Sequence, residues 1–348
     1  MAAGPARPGF SGRGERERPL ALRERRPGSS HRRLDAQLAR SETGEPFVLT
    51  RAARFAAAAS LSIGWLVADC APASAGPRLG DTLAPAIERI EAQVGGRLGV
   101  SIRDLQTGAS FSHRGSERFP MASTFKAFAC AHLLALADAG TIDPGRREPI
   151  RAGDLQTYSP VTRNHVGDGL SLSALCEATT RTSDNTAANL ILTATGGPAA
   201  LTAFLRSIGD DTTRLDRFEP DLNDVGPGDD RDTTSPDAAI ASLQKLVLGD
   251  VLSANSRRQL ESWLAANAVG GPLLRASLPE GWRIADRTGA GEYGTRGIIA
   301  VIWPKDDAAP AKGPILAAVY LTGTKLSIDQ RNGVIAELGA AMVEDLGG

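Results

Sequence analysis

Histidine is scarce in this sequence. Its 348 residues hold four, His31, His113, His132 and His165, alongside three cysteines, and their spacing forms no ligand cluster. A metal centre built from imidazole and thiolate is therefore excluded, and each histidine reads as a surface or packing residue. Long apolar runs are lacking as well: the stretch Phe55 to Val67 falls short of the roughly 20 residues that a bilayer-spanning helix needs. Nor is there an excess of charge, the formal net charge being -1. The balance is uneven, because residues 1–54 hold twelve Arg, no Lys and six acidic residues, which leaves the rest mildly acidic. Such a body offers no general basic surface for nucleic acid. Internal repeats and low-complexity tracts outside the leader are also missing, which excludes a repeat architecture. What is present, 42% hydrophobic residues over this length, suffices for one large domain or two smaller ones.

The apolar run Phe55 to Val67 follows Arg51 and Arg54 and precedes Ala73-Ser74-Ala75, the layout of a secretory signal peptide cleaved before Gly76. Cys70 stands behind Asp69, where a lipoprotein signal wants a small residue, so lipid attachment is not expected. The Arg-rich stretch before the run is long for a leader, and translation is expected to start near Val48 or Leu49. Residues 1–75 thus read as leader and signal, and residues 76–348 as a mature chain secreted across the inner membrane, periplasmic and without a stable membrane anchor. Removing the leader leaves Cys130 and Cys176, either a pair or two buried free thiols. A bond between them would stabilise the fold by about 4 kcal/mol in the chain-entropy view.

The mature chain opens with a helix signal, in which Asp81 is placed to cap and Leu83, Ile87, Ile90 and Val94 recur at helical spacing until Gly95-Gly96. Leu98, Val100 and Ile102 then alternate with polar residues, and after Thr107-Gly108 the segment Ala109 to His113 returns as a hairpin partner. Ser123 to Ala139 reads as a buried helix. The middle, to about Ala266, reads as short helices divided by loops, the longest being Asp210 to Pro236, and loops of that length usually carry function. Strands return at Trp282–Arg287, Gly297–Trp303 and Pro314–Leu321, and a helix at Ile328–Leu346 closes the chain. The expected fold is α+β with two lobes: an antiparallel sheet flanked by terminal helices (about 76–120 and 267–348) and an all-helical lobe (about 121–266).

Ser123 and Lys126 lie three residues apart at the start of the buried helix, on one face, so that Lys126 can reach Ser123 directly, and a dry site with nearby positive charge makes a lysine a competent base. Alone the pair also fits an ordinary N-cap. Ser183-Asp184-Asn185 alone fits a polar turn, and Arg287-Thr288-Gly289 on a strand offers a cation, a hydroxyl and a close backbone approach. Their joint occurrence in this order, S-x-x-K, then S-D-N, then a K-T-G-like element, resembles the class A serine β-lactamases. Tyr158-Ser159-Pro160-Val161 and Arg217-Phe218-Glu219-Pro220-Asp221-Leu222-Asn223 are similar to that family's pocket segment and its Ω-loop. The likeness runs from about Asp81 to the C-terminus.

The resemblance implies the two-lobed fold shared by serine β-lactamases and penicillin-binding proteins, with hydrolysis of penicillins and cephalosporins through an acyl-enzyme on Ser123. It implies Lys126, Ser183, Glu219 and Asn223 as catalytic partners and the backbone N–H groups of Ser123 and Ala290 as the oxyanion hole. Substrate would meet Tyr158, Asn185, Arg287, Thr288, Gly289, Ala290 and Arg296. Arg217 would pair with Asp232, and Cys130 with Cys176. The base that takes the Ser123 proton, Lys126 or Glu219 through a water, stays open. No cofactor or metal is implied, and the expected partner is a small-molecule substrate of a monomer.

Arg287 replaces the lysine found in most of the family, an exchange of the carbenicillin-hydrolysing branch, so acidic side chains should be tolerated. Ala122 and Gly291 stand where a carbapenem-hydrolysing subgroup carries a bridging cysteine pair, so strong carbapenemase activity is not expected. Glu292 resembles the narrow-spectrum enzymes. A D-alanyl-D-alanine peptidase would share the serine, lysine and asparagine elements but lack a deacylating glutamate such as Glu219, and a β-lactam sensor would carry transmembrane and effector segments.

Overall fold

The structure, a computed structural model, describes residues 78–305 and 313–347. The signal-peptide reading, with Cys70 and the cleavage before Gly76, lies outside them. Helix α1 (Leu83–Val94) buries Leu83, Ala86, Ile87 and Ile90 and ends at Gly95 in the left-handed region (φ 65°), as its periodicity and glycine predict. Its cap differs from the expected one. Asp81 turns to the Arg78 N–H, and Asp345, near the end of the last helix, accepts from the N–H groups of Gly80 (2.8 Å), Thr82 (2.6 Å) and Leu83 (3.1 Å). A distant carboxylate thus satisfies the orphan donors of a helix N-terminus and complements its dipole.

Strands β1 (Arg97–Asp104) and β2 (Ser110–His113) form the expected hairpin. After β3 (Phe119–Pro120) and a 3₁₀ turn at Ala122–Thr124 comes α2 (Phe125–Asp138), buried continuously from Phe125 to Leu134. A helix apolar on all sides belongs in a core, and this one gives the residues at its start a rigid base. The next elements are β4 (Arg147–Glu148), β5 (Leu170–Ser171), α3 (Leu172–Thr182), α4 (Asn185–Ala194) and α5 (Gly197–Ser207). Following them are β6 (Thr233–Thr234), α6 (Pro236–Val247) and α7 (Ala254–Ala265). Two short ladders, β4 with β5 and β6 with β3, interrupt the segment expected to be all helical. Strands of two residues are too short to leave an alternation to read.

Strands β7 (Arg283–Ala290), β8 (Arg296–Trp303) and β9 (Ile315–Thr322) and helix α8 (Ile328–Asp345) complete the chain. The main sheet runs β2-β1-β9-β8-β7, antiparallel throughout. Both faces of its centre are covered, which is why β8 reads as a continuous apolar run. Ile298, Ala300 and Ile302 join the core under α1 and α8, whereas Ile299 and Val301 join the core shared with α2 and α6. Strand β7 extends three residues past the expected Arg287, pairing Gly289 with Gly297 and Ala290 with Arg296. That extension carries the strand to the start of α2. Between α2 and α3, Cys130 and Cys176 form a disulfide with a Cα–Cα distance of 5.6 Å.

Candidate active site

The start of α2, the α3–α4 turn, the loop before α6 and the end of β7 converge on one cleft of about 380 Å³. Its lining includes Ser123, Tyr158, Ser183, Asn185, Asn223, Thr288, Gly289, Ala290 and Arg296. Ser123 sits in the 3₁₀ turn after Ala122, whose φ of 43° is a left-handed conformation that costs a non-glycine residue about 1 kcal/mol. Gly289 permits the approach of β7, because a Cβ there would stand 2.7 Å from the Met121 carbonyl oxygen and 3.0 Å from the Ser123 nitrogen.

Lys126, one turn on, is fully buried. Its Nζ donates to the Ser183 carbonyl (3.0 Å), Ser183 Oγ (3.2 Å) and Asn185 Oδ1 (2.6 Å), and stands 2.9 Å from Glu219 Oε1. The direct bond to Ser123 expected from the helical spacing is replaced by a two-armed bridge. Ser123 Oγ donates to Glu219 Oε1 (3.3 Å) and accepts from Ser183 Oγ (3.1 Å), and both of those groups contact Lys126. Burial pulls the Lys126 amine down to about 8, against the opposing pull of Glu219, and the nearby Arg287 charge adds to the fall.

Glu219 is buried and bound at both ends of its chemistry. Oε2 accepts from Asn223 Nδ2 at 2.5 Å, and the backbone is clamped by Asn189, whose Oδ1 accepts from the Glu219 N–H (2.9 Å) and whose Nδ2 donates to its carbonyl (2.8 Å). Asn189 is a functional position that the sequence reading missed, although it stands one helical turn after Asn185 on the same face. The surrounding loop is pinned by Asp232, which accepts from Arg217 Nε (2.6 Å) and from the N–H groups of Asp216 (2.7 Å) and Arg217 (3.0 Å). Asp184, between the two site residues of its motif, faces away. Its carboxylate accepts from the N–H groups of Val161 and Thr162 (both 2.9 Å) and of Ala187 (2.9 Å), so it caps α4 and fixes the Tyr158 loop.

The opposite wall is cationic. Arg296 donates from Nε to Asn332 Oδ1 (2.8 Å) and from Nη1 to the Gly289 carbonyl (3.0 Å). Arg287 is fully buried, yet none of its three guanidinium nitrogens has a hydrogen-bond partner among the described residues. Burial lowers both guanidinium groups to about 10, which leaves them charged at neutral pH. For Arg287 the carboxylates of Asp286 and Glu219 oppose that fall and the Arg296 charge adds to it, so the guanidinium is held among charges rather than by hydrogen bonds.

The chain is similar to known proteins over most of its length. The model of the "Beta-lactamase enzyme family" matches residues 82–346. This chain belongs to the β-lactamase enzyme family, in class A. Among curated relatives, Beta-lactamase PSE-4 of Pseudomonas aeruginosa is 47% identical over 258 residues, covering 74% of this chain and 88% of that protein. Beta-lactamase AER-1 of Aeromonas hydrophila is 46% identical over 261 residues, covering 75% and 84%. Among solved structures, the class A β-lactamase of the last common ancestor of Gram-negative bacteria is 55% identical, with a TM-score of 0.73 and coverage of 75% of this chain and 98% of that one. The chromosome-encoded β-lactamase of Vibrio parahaemolyticus is 46% identical, also with a TM-score of 0.73 and coverage of 75% and 98%. As a β-lactamase the protein opens the β-lactam ring of small-molecule antibiotics by hydrolysis, the activity that confers resistance, and the expected α+β fold is the one observed.

Proposed function

We propose that the cleft hydrolyses penicillins and cephalosporins by the following sequence of steps. The cationic wall carries the binding half of this reading: Thr288 and Arg296, which line the cleft, meet the ring carboxylate with the charge of buried Arg287 behind them, while Asn185 and Tyr158 flank the acyl side chain. The lactam carbonyl then lies at Ser123, with its oxygen toward the N–H groups of Ser123 and Ala290, where backbone donors stabilise the developing oxyanion.

Glu219, 3.3 Å from Ser123 Oγ, takes the hydroxyl proton as the Ser123 oxygen attacks. Lys126, with its amine at about 8, is mostly charged at neutral pH and serves as the acid, passing a proton through Ser183 Oγ to the lactam nitrogen as the amide bond breaks. The proton on Glu219 returns to Lys126 across the 2.9 Å contact, which restores both groups. In the second half, Glu219 with Asn223 orients a water, removes its proton and returns that proton to Ser123 Oγ as the ester breaks.

The same proposal covers the setting of the reaction. The catalytic domain acts as a monomer of residues 76–348, released from its leader into the periplasm without a membrane anchor, cofactor, metal or nucleic acid. Arg287 in place of lysine supports turnover of penicillins with acidic side chains. The deciding experiment compares nitrocefin turnover and intact mass for the parent and Glu219→Ala. Sustained turnover by the parent with a stable adduct on Ser123 in the variant is expected; a parent that acylates once and stops would overturn the reading. The variant should lose about 10³-fold or more in kcat.

A further inference from the structure

Behind the cationic wall lies a buried polar cluster that the proposed chemistry does not use. Asn267, 5% exposed, follows α7 in the crossing back to the sheet. Its amide faces two ways. Nδ2 donates to Asp286 Oδ2 at 2.6 Å, and Oδ1 accepts from the Val269 N–H at 3.1 Å. Asp286 is fully buried on β7 and takes its second bond from Arg275 Nε at 2.6 Å. Arg275 in turn donates to the Ala265 carbonyl at 3.0 Å, which ties the cluster to the end of α7. Gly270 leaves just enough room, since a Cβ there would stand 2.5 Å from Asp286 Oδ2, 2.9 Å from Asn267 Nδ2 and 3.1 Å from Arg275 Nε.

The two elements joined by this amide both reach the cleft: Val269 lines it, and so do Thr288, Gly289 and Ala290, directly after Asp286 and Arg287 on β7. We infer that Asn267 is a positioning residue for substrate binding, whose two-sided amide sets the distance between Val269 and strand β7 where both line the cleft. Buried amides with both ends satisfied are rigid spacers, because breaking either bond leaves a buried group unpaired. The effect falls mainly on binding, since neither Ser123 nor Glu219 contacts the cluster and Ala290 of the oxyanion hole, four residues from Asp286, keeps its own pairing with Arg296, whereas Thr288 lies two residues from Asp286. The inference rests on the reading of the cleft as the β-lactam site.

The experiment measures kcat and KM for nitrocefin and benzylpenicillin in the parent, Asn267→Ala, Asn267→Asp and Gly270→Ala, together with thermal melting. Asn267→Ala and Gly270→Ala should raise KM about tenfold with kcat within about twofold of the parent. Asn267→Asp supplies a readout that a purely structural role would not move. Its carboxylate would face Asp286 with Arg275, Arg287 and Arg296 as the surrounding charges, and two carboxylates that close hold one proton between them. At about pH 5 the shared proton rebuilds the bond and KM matches the parent; at about pH 8 repulsion opens the wall and KM rises about tenfold. A KM that tracks the parent across this range, or a folded Asn267→Ala with unchanged KM and lowered melting alone, would overturn the inference. If the alanine variant fails to fold, the aspartate variant decides. The cleft reading itself stands or falls separately, on whether Ser123→Ala abolishes turnover in the otherwise unaltered chain.

Discussion

Two fully buried cations stand beside the cleft, and they are treated in opposite ways. Lys126 has three hydrogen bonds and an ion pair, to Ser183, Asn185 and Glu219. Arg287 has none among the described residues. A buried charge without partners persists only where the fold over-determines it, and the surplus is then available to a ligand that brings the missing acceptor. In the proposed mechanism the contrast gives one side of the site to moving protons and the other to holding an anion. Proton transfer needs fixed donor–acceptor distances before substrate arrives, whereas anion capture needs unspent donors.

The largest expected effect lies on the partnered side. Lys126→Met keeps the volume and removes the charge, leaving Glu219, Ser183 and Asn185 with an unfilled contact each, and kcat should fall about 10³-fold or more while KM moves little. Steady-state kinetics with benzylpenicillin test this, and a loss confined to KM would erase the distinction between the two cations. On the unpartnered side, Arg287→Ala should cost about 10²-fold in kcat/KM, carried mainly by KM, because it removes a charge-assisted contact to the substrate. Single-turnover deacylation of a preformed acyl-enzyme should be nearly unchanged. Equal damage to acylation and deacylation would mean that Arg287 acts on Glu219 rather than on substrate.

How much of this contrast was legible beforehand follows from where each partner comes from. Ser123 and Lys126 sit one helical turn apart, and Glu219 and Asn223 lie close in one loop, so local spacing and the family resemblance together singled them out. The sheet registers follow the alternation of Leu98, Val100 and Ile102 and the apolar runs of β8 and β9. The clamps were not legible. Asn189 grips Glu219 from a helix 30 residues away, and Asp345 caps α1 from 262 residues away. Such partners are fixed by tertiary packing, and a lone asparagine or aspartate in a helix carries no mark of what it will meet. The sequence reading brought Lys126 directly to Ser123 for the same reason: it saw the helical face and not the four acceptor atoms that the α3–α4 turn and the Ω-loop bring to the ammonium group.

The contrast also fixes the sign of the alkaline pH dependence. With its amine near 8, Lys126 loses its proton as the pH climbs through that value, and with the proton goes the acid that serves the lactam nitrogen and the counter-charge of Glu219. The rate of acylation should therefore fall at about tenfold per pH unit above about 8, as expected for the loss of one essential proton. If Lys126 were instead the base for Ser123, the same titration would raise the rate over that range. A pH profile of kcat/KM decides between them, and Arg287→Ala, which removes a neighbouring positive charge that lowers the amine beyond the effect of burial, should move this limb to higher pH.

Arg296 occupies the middle ground between the two extremes and gives the smallest expected effect. Its Nε is bound to Asn332 and its Nη1 to the Gly289 carbonyl, so it is held in place like Lys126 yet bounds the substrate side of the cleft. Asn332→Ala releases one of those bonds without touching the charge. If orientation by Asn332 is what makes Arg296 useful to an incoming carboxylate, KM should rise about threefold with kcat unchanged, a loss within the range of one hydrogen bond. An unchanged KM would place Arg296 with Arg287, as a charge whose placement the strand alone secures, and would confine the preorganised half of the site to the groups around Lys126.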